Sequence, residues 1–330
     1  MEGYAVSLEA TDVSYGPYEP GDEHEILRVF NKVFGQQRQL PTWEWEFNKN
    51  PAGRHIFLAK QPGGRVLSQF CGIPRVMRAG GGSACFGEIV DSMTDPEFRM
   101  GLKRPGLFAT TCYEFVEYFG RPDREVIMYG LPNPQAFRLG GKLLGYSHLY
   151  DVQFMTTTAL NAPLPASCQR IEALPPEWNA FEERVQARHG VTTLRDQRYM
   201  NWRYLENPDV RYELLSFRDE CGVLFALAVL RHGWLGMKVS ACAELLVDHE
   251  HPLAMQVNEG VRAAAAASGS ERVQVFVRPE SMEWVALGSI GWWPEPSQFR
   301  FVARTYDDVN LPLEGLKNAW SVSLGDFDIV

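Results

Sequence analysis

Cysteine is scarce and scattered in this chain. Six residues, Cys71, Cys85, Cys112, Cys168, Cys221 and Cys242, occur in 330, and no two of them form a C-x-x-C pair. That spacing excludes a zinc ribbon and a disulfide-stapled framework, and most of the six sit in apolar runs, as reduced core residues do. No apolar run reaches the roughly 18 residues that a membrane span requires. Positive charge is also short: 32 Lys and Arg against 41 Asp and Glu leave a net charge of −9. A general nucleic-acid binder needs a basic face to displace counterions, so nucleic acid is excluded as an expected partner. The segment MEGYAVSLEATD carries neither the basic nor the apolar stretch of a secretion signal, so the expected location is cytoplasmic. What the chain does have is 45% hydrophobic and 22% charged residues, an ordinary globular balance. At roughly 150 residues per domain its length predicts two domains.

Residues 86–108, FGEIVDSMTDPEFRMGLKRPGLF, organise the first half. FGEIVDSM reads as a buried strand stopped by Pro96. A basic, glycine-punctuated loop follows, with Arg99, Gly101, Lys103, Arg104 and Gly106, and a helix runs from Gly106 through Leu107, Phe108, Thr111, Phe115 and Phe119. A helix N-terminus offers free N–H groups and partial positive charge, which suits a phosphate. A basic loop in an acidic protein points to a small anionic ligand. Upstream, Ile26, Leu27, Phe30, Val33 and Phe34 have helical spacing, and three strand-like runs, RHIFLAK, RVLSQFCGIPRVM and SACFGEIVDSM, are divided by Gly63-Gly64 and by Gly80-Gly81-Gly82. Downstream come the apolar run EVIMYGL, a short helix and a final strand, then a proline-rich linker.

The pattern then recurs. Tyr199, Trp202, Tyr204, Asn207 and Pro208 echo Trp43, Trp45, Phe47, Asn50 and Pro51; Trp45 to Trp202 is an offset of 157, as is Asp91 to Asp248. Gly145 to Gly291 is an offset of 146, so the second copy is 11 residues shorter after Asp248. The deficit can fall on the anion loop, whose counterpart, VDHEHPLAMQV, has neither glycine nor Arg or Lys. The expected organisation is a unit at 1–158, a linker at 159–176 and a degenerate second unit at 177–330.

The order strand, basic Gly loop, helix, strand, Asn133-Pro-Gln-Ala136 and Leu144-Gly145-Tyr146 resembles the GNAT superfamily of acyl-CoA-dependent N-acyltransferases. The doubled Trp…Asn-Pro segment resembles the branch with two tandem units. The resemblance implies an α/β (α+β) fold in which each unit is a central mixed, mostly antiparallel sheet flanked by helices. It implies acetyl-CoA or another acyl-CoA as co-substrate, a small-molecule amine as partner, and no metal. The pyrophosphate loop is matched by Lys103-Arg-Pro-Gly106-Leu107-Phe108, with Lys and Phe in place of the usual first and last residues, or in another register by Arg99-Met-Gly101. Main-chain groups of Ser92, Met93 and Thr94 match those that bond the pantetheine arm. Asn133 matches the residue that steadies the thioester, with Phe137 beside it. The acid tyrosine of many members falls at Gly140, so that role is vacant or filled from elsewhere.

Acyl transfer to an amine needs a neutral amine, a held oxyanion and a proton for the thiolate. Glu88 is the candidate base. Asp91, a second catalytic candidate or, since it recurs as Asp248 where the loop is lacking, a structural residue, lies three residues on, so on a regular strand the two face opposite ways and only a bulge lets both reach one site. Tyr129 is the candidate acid, or else a buried tyrosine with a satisfied hydroxyl. Trp43, Trp45, Trp202 and Tyr204 either wall an acceptor pocket or cover the core. Asp248-His249-Glu250-His251 has adjacent residues that rarely converge on one metal ion. The tail with Asp326 and Asp328 docks between the units or is solvated. The expected activity is acyl transfer to a primary amine, with a nucleotide-linked amino sugar as acceptor. The alternatives are an amino acid, peptide or polyamine acceptor, or a non-catalytic CoA-binding or scaffolding module.

Overall fold

The computed structural model describes residues 13–99 and 105–330. In the first half the elements are β1 (Ser14–Pro17), α1 (Glu23–Phe34), α2 (Leu40–Trp43), β2 (His55–Lys60), β3 (Val66–Ala79), β4 (Gly82–Thr94), α3 (Leu107–Phe119), β5 (Ile127–Gly130), α4 (Pro134–Leu143) and β6 (Ser147–Thr158). In the second they are β7 (Cys168–Ile171), α5 (Trp178–Gln186), β8 (Val191–Thr193), α6 (Gln197–Met200), β9 (Glu213–Arg218), β10 (Leu224–Arg231), β11 (Val239–Val247), α7 (Gln256–Ala267), β12 (Arg272–Val275), α8 (Met282–Ser289), β13 (Trp293–Thr305), α9 (Leu313–Ala319) and β14 (Trp320–Ser321). The three strand-like runs are β2, β3 and β4. Gly80 and Gly81, both at positive φ (58° and 79°), form the two-residue turn between β3 and β4, and that turn fixes the register. The stretch 159–176 contains β7, which pairs with β9.

The repeat is visible as geometry. A π-helical turn at Glu44–Asn48 follows α2, and another at Asn201–Leu205 follows α6, 157 residues on. Helix α7 begins 149 residues after α3, so eight of the 11 missing residues are lost before this helix, between Asp248 and Gln256. The sheet is mixed and mostly antiparallel, in the order β1-β2-β3-β4-β5-β13-β6-β12-β11-β10-β9-β7, with β8 joining β3 and β14 joining β8. Parallel pairs occur only at β4/β5, β11/β12 and β8/β14 among the described residues.

The tandem organisation carries one feature that simple duplication does not predict. Strand β13 lies between β5 and β6, and β6 lies between β13 and β12. The last long strand of each half, β6 and β13, has crossed to the other half, so one ladder runs through both and neither half leaves an open edge at the junction. One core continues beneath both halves, with Trp43, Trp178, Trp234 and Trp320 fully buried in it. No helix among the described residues is long and apolar enough to cross a membrane.

Candidate functional site

Strands β4 and β5 pair only from Phe86 to Glu88 against Ile127 to Tyr129. Beyond that point both are forced apart. In β4, Asp91 adopts φ 47°, and Asp91 and Ser92 together fill the register opposite Phe70, between the pairs Cys71–Val90 and Gln69–Met93. This is a bulge, which bends the strand and re-aims its side chains. After β5, Pro132 has no N–H to continue a ladder, and the Asn133 Oδ1 accepts the N–H groups of Gln135 and Ala136 to start α4. The parted strands leave a cleft of about 700 Å3.

The bulge decides the question that regular alternation left open: Glu88 and Asp91 both line the cleft. Glu88 is 2% exposed. Its Oε2 accepts from Arg75 Nη2 at 2.7 Å and its Oε1 from the backbone N–H of Asp328 at 2.8 Å. Burial, with the Asp328 charge beside it, pushes its carboxyl up to about 8, against the pull of Arg75. Asp91 is ion-paired to Arg38, whose guanidinium also lies 3.2 Å from Glu46 Oε2 and 3.8 Å above the Phe30 ring. Burial raises Asp91, and it raises Glu46 to about 8, in both cases opposed by Arg38.

The other expected site residues are placed as follows. Ser92, Met93, Thr94, Arg99, Phe108 and Asn133 line the cleft. Arg99 donates from Nε to the Thr94 carbonyl at 3.1 Å, bracing the strand end. Gly106 caps α3 at φ −74°, a conformation open to any residue, and its neighbour Leu107 opens the helix; neither is among the cleft's lining residues. Gly101, Lys103 and Arg104 lie outside the described residues. Phe137 departs from expectation. Helical periodicity turns it away from the face that Ala136, Gly140 and Leu143 present to the cleft, and its ring meets His148 edge-on at 5.9 Å, with Arg300 over it at 4.9 Å.

Tyr129 sits at the base of the cleft, but its hydroxyl donates to the Asp326 carbonyl at 3.0 Å and accepts from Arg75 Nε at 2.9 Å. Its ring packs edge-on against Phe301, Trp320 and Phe327. Burial pushes the phenol well above its ordinary value. This geometry suits the satisfied core tyrosine and opposes the acid role, because the proton is already committed to the tail. Gly140 also has a physical reason: a Cβ there would lie 2.2 Å from the Tyr146 ring, which fills the space. The second half has no comparable opening, for Ser321, Val322 and Ser323 line what is left of it, a cavity of about 50 Å3. Nor do the residues of Asp248-His249-Glu250-His251 converge. Asp248 pairs with Arg184, and His251 stacks on Phe225 at 4.3 Å. No group able to hold a metal occurs among the described residues.

Sequence reasoning missed Arg38, Glu46 and Arg75, and it placed Asp328 only on a tail that docks between the units or is solvated. Arg75 carried a signal, since an arginine inside an otherwise apolar strand needs a buried partner, and the hairpin register places Glu88 diagonally across from it. Arg38 and Glu46 had none.

A second cavity, of about 570 Å3, lies at the seam between the halves. Trp45 and Trp202 stack there at 5.5 Å, and each donates its indole N–H to the other's carbonyl, at 2.6 and 2.7 Å. These indoles are thus both core cover and cavity wall. The tail is docked along the same seam. Arg203 donates to the carbonyls of Gly325, Phe327 and Val330, and Trp234 Nε1 to that of Ile329. Asp326 is buried on Arg195, whereas the Asp328 side chain is exposed.

No family model and no curated protein matches the sequence. Solved structures do match the fold. A conserved protein of Enterococcus faecalis, described as a probable N-acyltransferase, superposes with a TM-score of 0.64 at 11% identity, over 91% of this chain and 74% of that one. A GCN5-related N-acetyltransferase from Anabaena variabilis gives 0.61 at 13% identity, over 89% and 73%. A tandem GNAT protein from the clavulanic acid biosynthesis pathway gives 0.54 at 10% identity, over 89% and 99%. At such identities the likeness establishes the fold alone: over about nine-tenths of its length this chain has the fold that these proteins share.

Proposed function

We propose that the chain is an acyl-CoA-dependent N-acyltransferase working in the β4/β5 cleft. The observation that carries this is the unpaired edge of β4 beyond Glu88. Its main-chain groups face an open cleft in the first half, while the corresponding opening in the second half is filled by the chain's own tail. An extended pantetheine arm can add to such an edge as a strand does. The diphosphate is assigned to the start of α3 and to Arg99, Lys103 and Arg104, and the thioester to the neighbourhood of Asn133. The first unit is 1–158 and the second 177–330, with the second serving as brace and as part of the acceptor site.

In the reaction the amine nitrogen attacks the thioester carbonyl carbon. The C–N bond forms, the oxyanion is held by an N–H of the splayed strand, and the C–S bond breaks to release the thiolate. Glu88 takes the proton that the amine loses, directly or through water, and that same proton, passed on through water, reprotonates the thiolate to free CoA. No covalent enzyme intermediate is needed, since two substrates held in line supply much of the rate. The acceptor assigned here is a nucleotide-linked amino sugar.

The test is calorimetric titration with CoA and acetyl-CoA, followed by release of free thiol in the presence of amino sugars, amino acids, peptides and polyamines. Saturable binding with amine-dependent thiol release supports the reading. Binding with no turnover on any amine leaves a CoA-binding module, and absence of binding overturns both.

A further inference from the structure

The seam cavity has no task in the transfer just described, and we propose that it is the acceptor's berth, with Asp328 as the carboxylate that receives the acceptor's ammonium group. This rests on the N-acyltransfer reading and deepens it.

Continuity is the first ground. Gln36, Arg38 and Asp328 line both the cleft and the seam cavity, so the two spaces meet at these residues. The meeting point adjoins the candidate base, because the Asp328 N–H is hydrogen-bonded to Glu88 Oε1. An amine entering from the seam therefore arrives beside Glu88, on the far side of the throat from the start of α3. The cavity is of a size that holds small ligands.

Charge is the second ground. Glu46, Glu88, Asp91 and Asp328 gather around the throat, with Arg38 and Arg75 as the paired cations. Arg38 is shared between Asp91 and Glu46, and Arg75 pairs with Glu88, so of the four only Asp328 is left without a cation of its own among the described residues. The Asp328 charge acts on Glu46, Glu88 and Asp91 alike.

An orphaned atom is the third ground. Glu46 is 6% exposed and lines the cavity, yet its Oε2 has no hydrogen-bond donor. The Arg38 guanidinium is close enough for an ion pair, but not in hydrogen-bond geometry. A buried carboxylate oxygen left in this state is expected to find a donor when the site is filled. Asp328 is placed to act with it. The side chain makes no hydrogen bond or ion pair among the described residues, while its own N–H and the carbonyls of Asp326, Phe327 and Ile329 are all held. A fixed backbone carrying a free carboxylate is a preorganised anchor for a cation. The rest of the wall is polar and charged, with Gln37, Thr42, Asn207 and Asp209, and with Arg203 and Arg231 donating to the tail carbonyls, while the paired indoles give it a rigid flat face. This suits a primary ammonium group on a polar carrier and disfavours an alkyl amine.

The test uses the full chain loaded with CoA and three ammonium probes, glucosamine, L-lysine and spermidine, titrated by calorimetry. At least one should bind saturably to the wild type. Asp328→Asn should weaken that probe tenfold or more, and Asp328→Glu should restore much of the loss. Val210→Trp narrows the seam cavity while leaving Asp328 in place, and it should weaken the probe at least as much. CoA affinity should stay within twofold in every variant. Unchanged probe binding in either Asp328→Asn or Val210→Trp, or no binding of any probe to a wild type that binds CoA, overturns the berth. A wild type that fails to bind CoA overturns the transfer reading instead.

Discussion

Replacing Glu88 by Gln tests the chemistry most directly. The carboxyl makes two contacts, Oε2 with Arg75 and Oε1 with the Asp328 N–H. A glutamine can keep one of them through its amide oxygen, but its NH2 must face a donor at the other. The tail's grip on this side chain should loosen, and the Arg75 charge loses its closest anion. General-base catalysis is worth roughly 10²- to 10⁴-fold, so kcat should fall within that range. The pH dependence separates this from mere misplacement. With Glu88 held at about 8, only about a tenth of the wild type carries the basic form at pH 7, and most carries it at pH 9. The wild-type rate should rise about tenfold over that interval from this group alone, in addition to the titration of the amine. The Glu88→Gln variant keeps the amine's titration and loses the other limb. The assay is kcat against pH for both proteins with one amine, with thermal melts run alongside to confirm folding. A folded variant whose kcat is within threefold of the wild type, or whose profile retains both limbs, would refute Glu88 as the base.

Three further outcomes are expected. Removing charge at Lys103 and Arg104 together, both to Ala, should weaken CoA about tenfold, or about 1.4 kcal/mol, with little change in the melting temperature; titration calorimetry reads the first and a thermal melt the second. Gly140→Ala should destabilise the fold by about 1–3 kcal/mol, because its Cβ meets the Tyr146 ring at 2.2 Å, and adding Tyr146→Ala should cancel that increment in a double-mutant cycle of urea midpoints. Stability should also decline as pH rises from about 4.5 to 8. Glu46 and Glu88 have folded values near 8, above the ordinary carboxyl value, so the folded chain binds more protons across this window and loses that advantage as they ionise. Urea midpoints at pH 5 and 8 check the sign, and Glu46→Gln should flatten the slope.

Much of the architecture was legible because it is local. The turn at Gly80-Gly81 fixed the β3/β4 register, and the helical stripe of α1 announced its buried face through Ile26, Leu27 and Phe30. The repeat was legible because indole pairs are rare enough for an offset of 157 to stand out. The bulge was not legible. Asp91 adopts a left-handed φ that local propensity gives no reason to expect of it, and only tertiary packing makes it worthwhile. Phe137 failed for a related reason: proximity in sequence to Asn133 says nothing about which side of a helix faces a cleft that another strand defines. Arg38 and Glu46, Glu88 and Asp328 come from three separated stretches of chain, and no periodicity links them.

The exchange of β6 and β13 gives these separate pieces a common cause. If each half had kept its own last strand, the halves would be joined by a surface contact and could shift against each other. With the strands crossed, β13 forms part of the first half's sheet beside β5, and the chain that leaves it, through α9 and β14, is already on the first half's side of the seam. From there Ser321 to Ser323 close the second half's opening, and the next few residues run on to Glu88. The segment that silences one copy of the cleft is thus continuous with the segment that furnishes the other with a carboxylate. Arg195 holds the two together, because its guanidinium binds Asp326, Glu244 and the Ser323 hydroxyl between the plug and the delivered residue. A duplicated unit with two equal sites would have no use for that arrangement. Under the proposed transfer one working cleft does, since its acceptor side is then built by the copy that gave up its own.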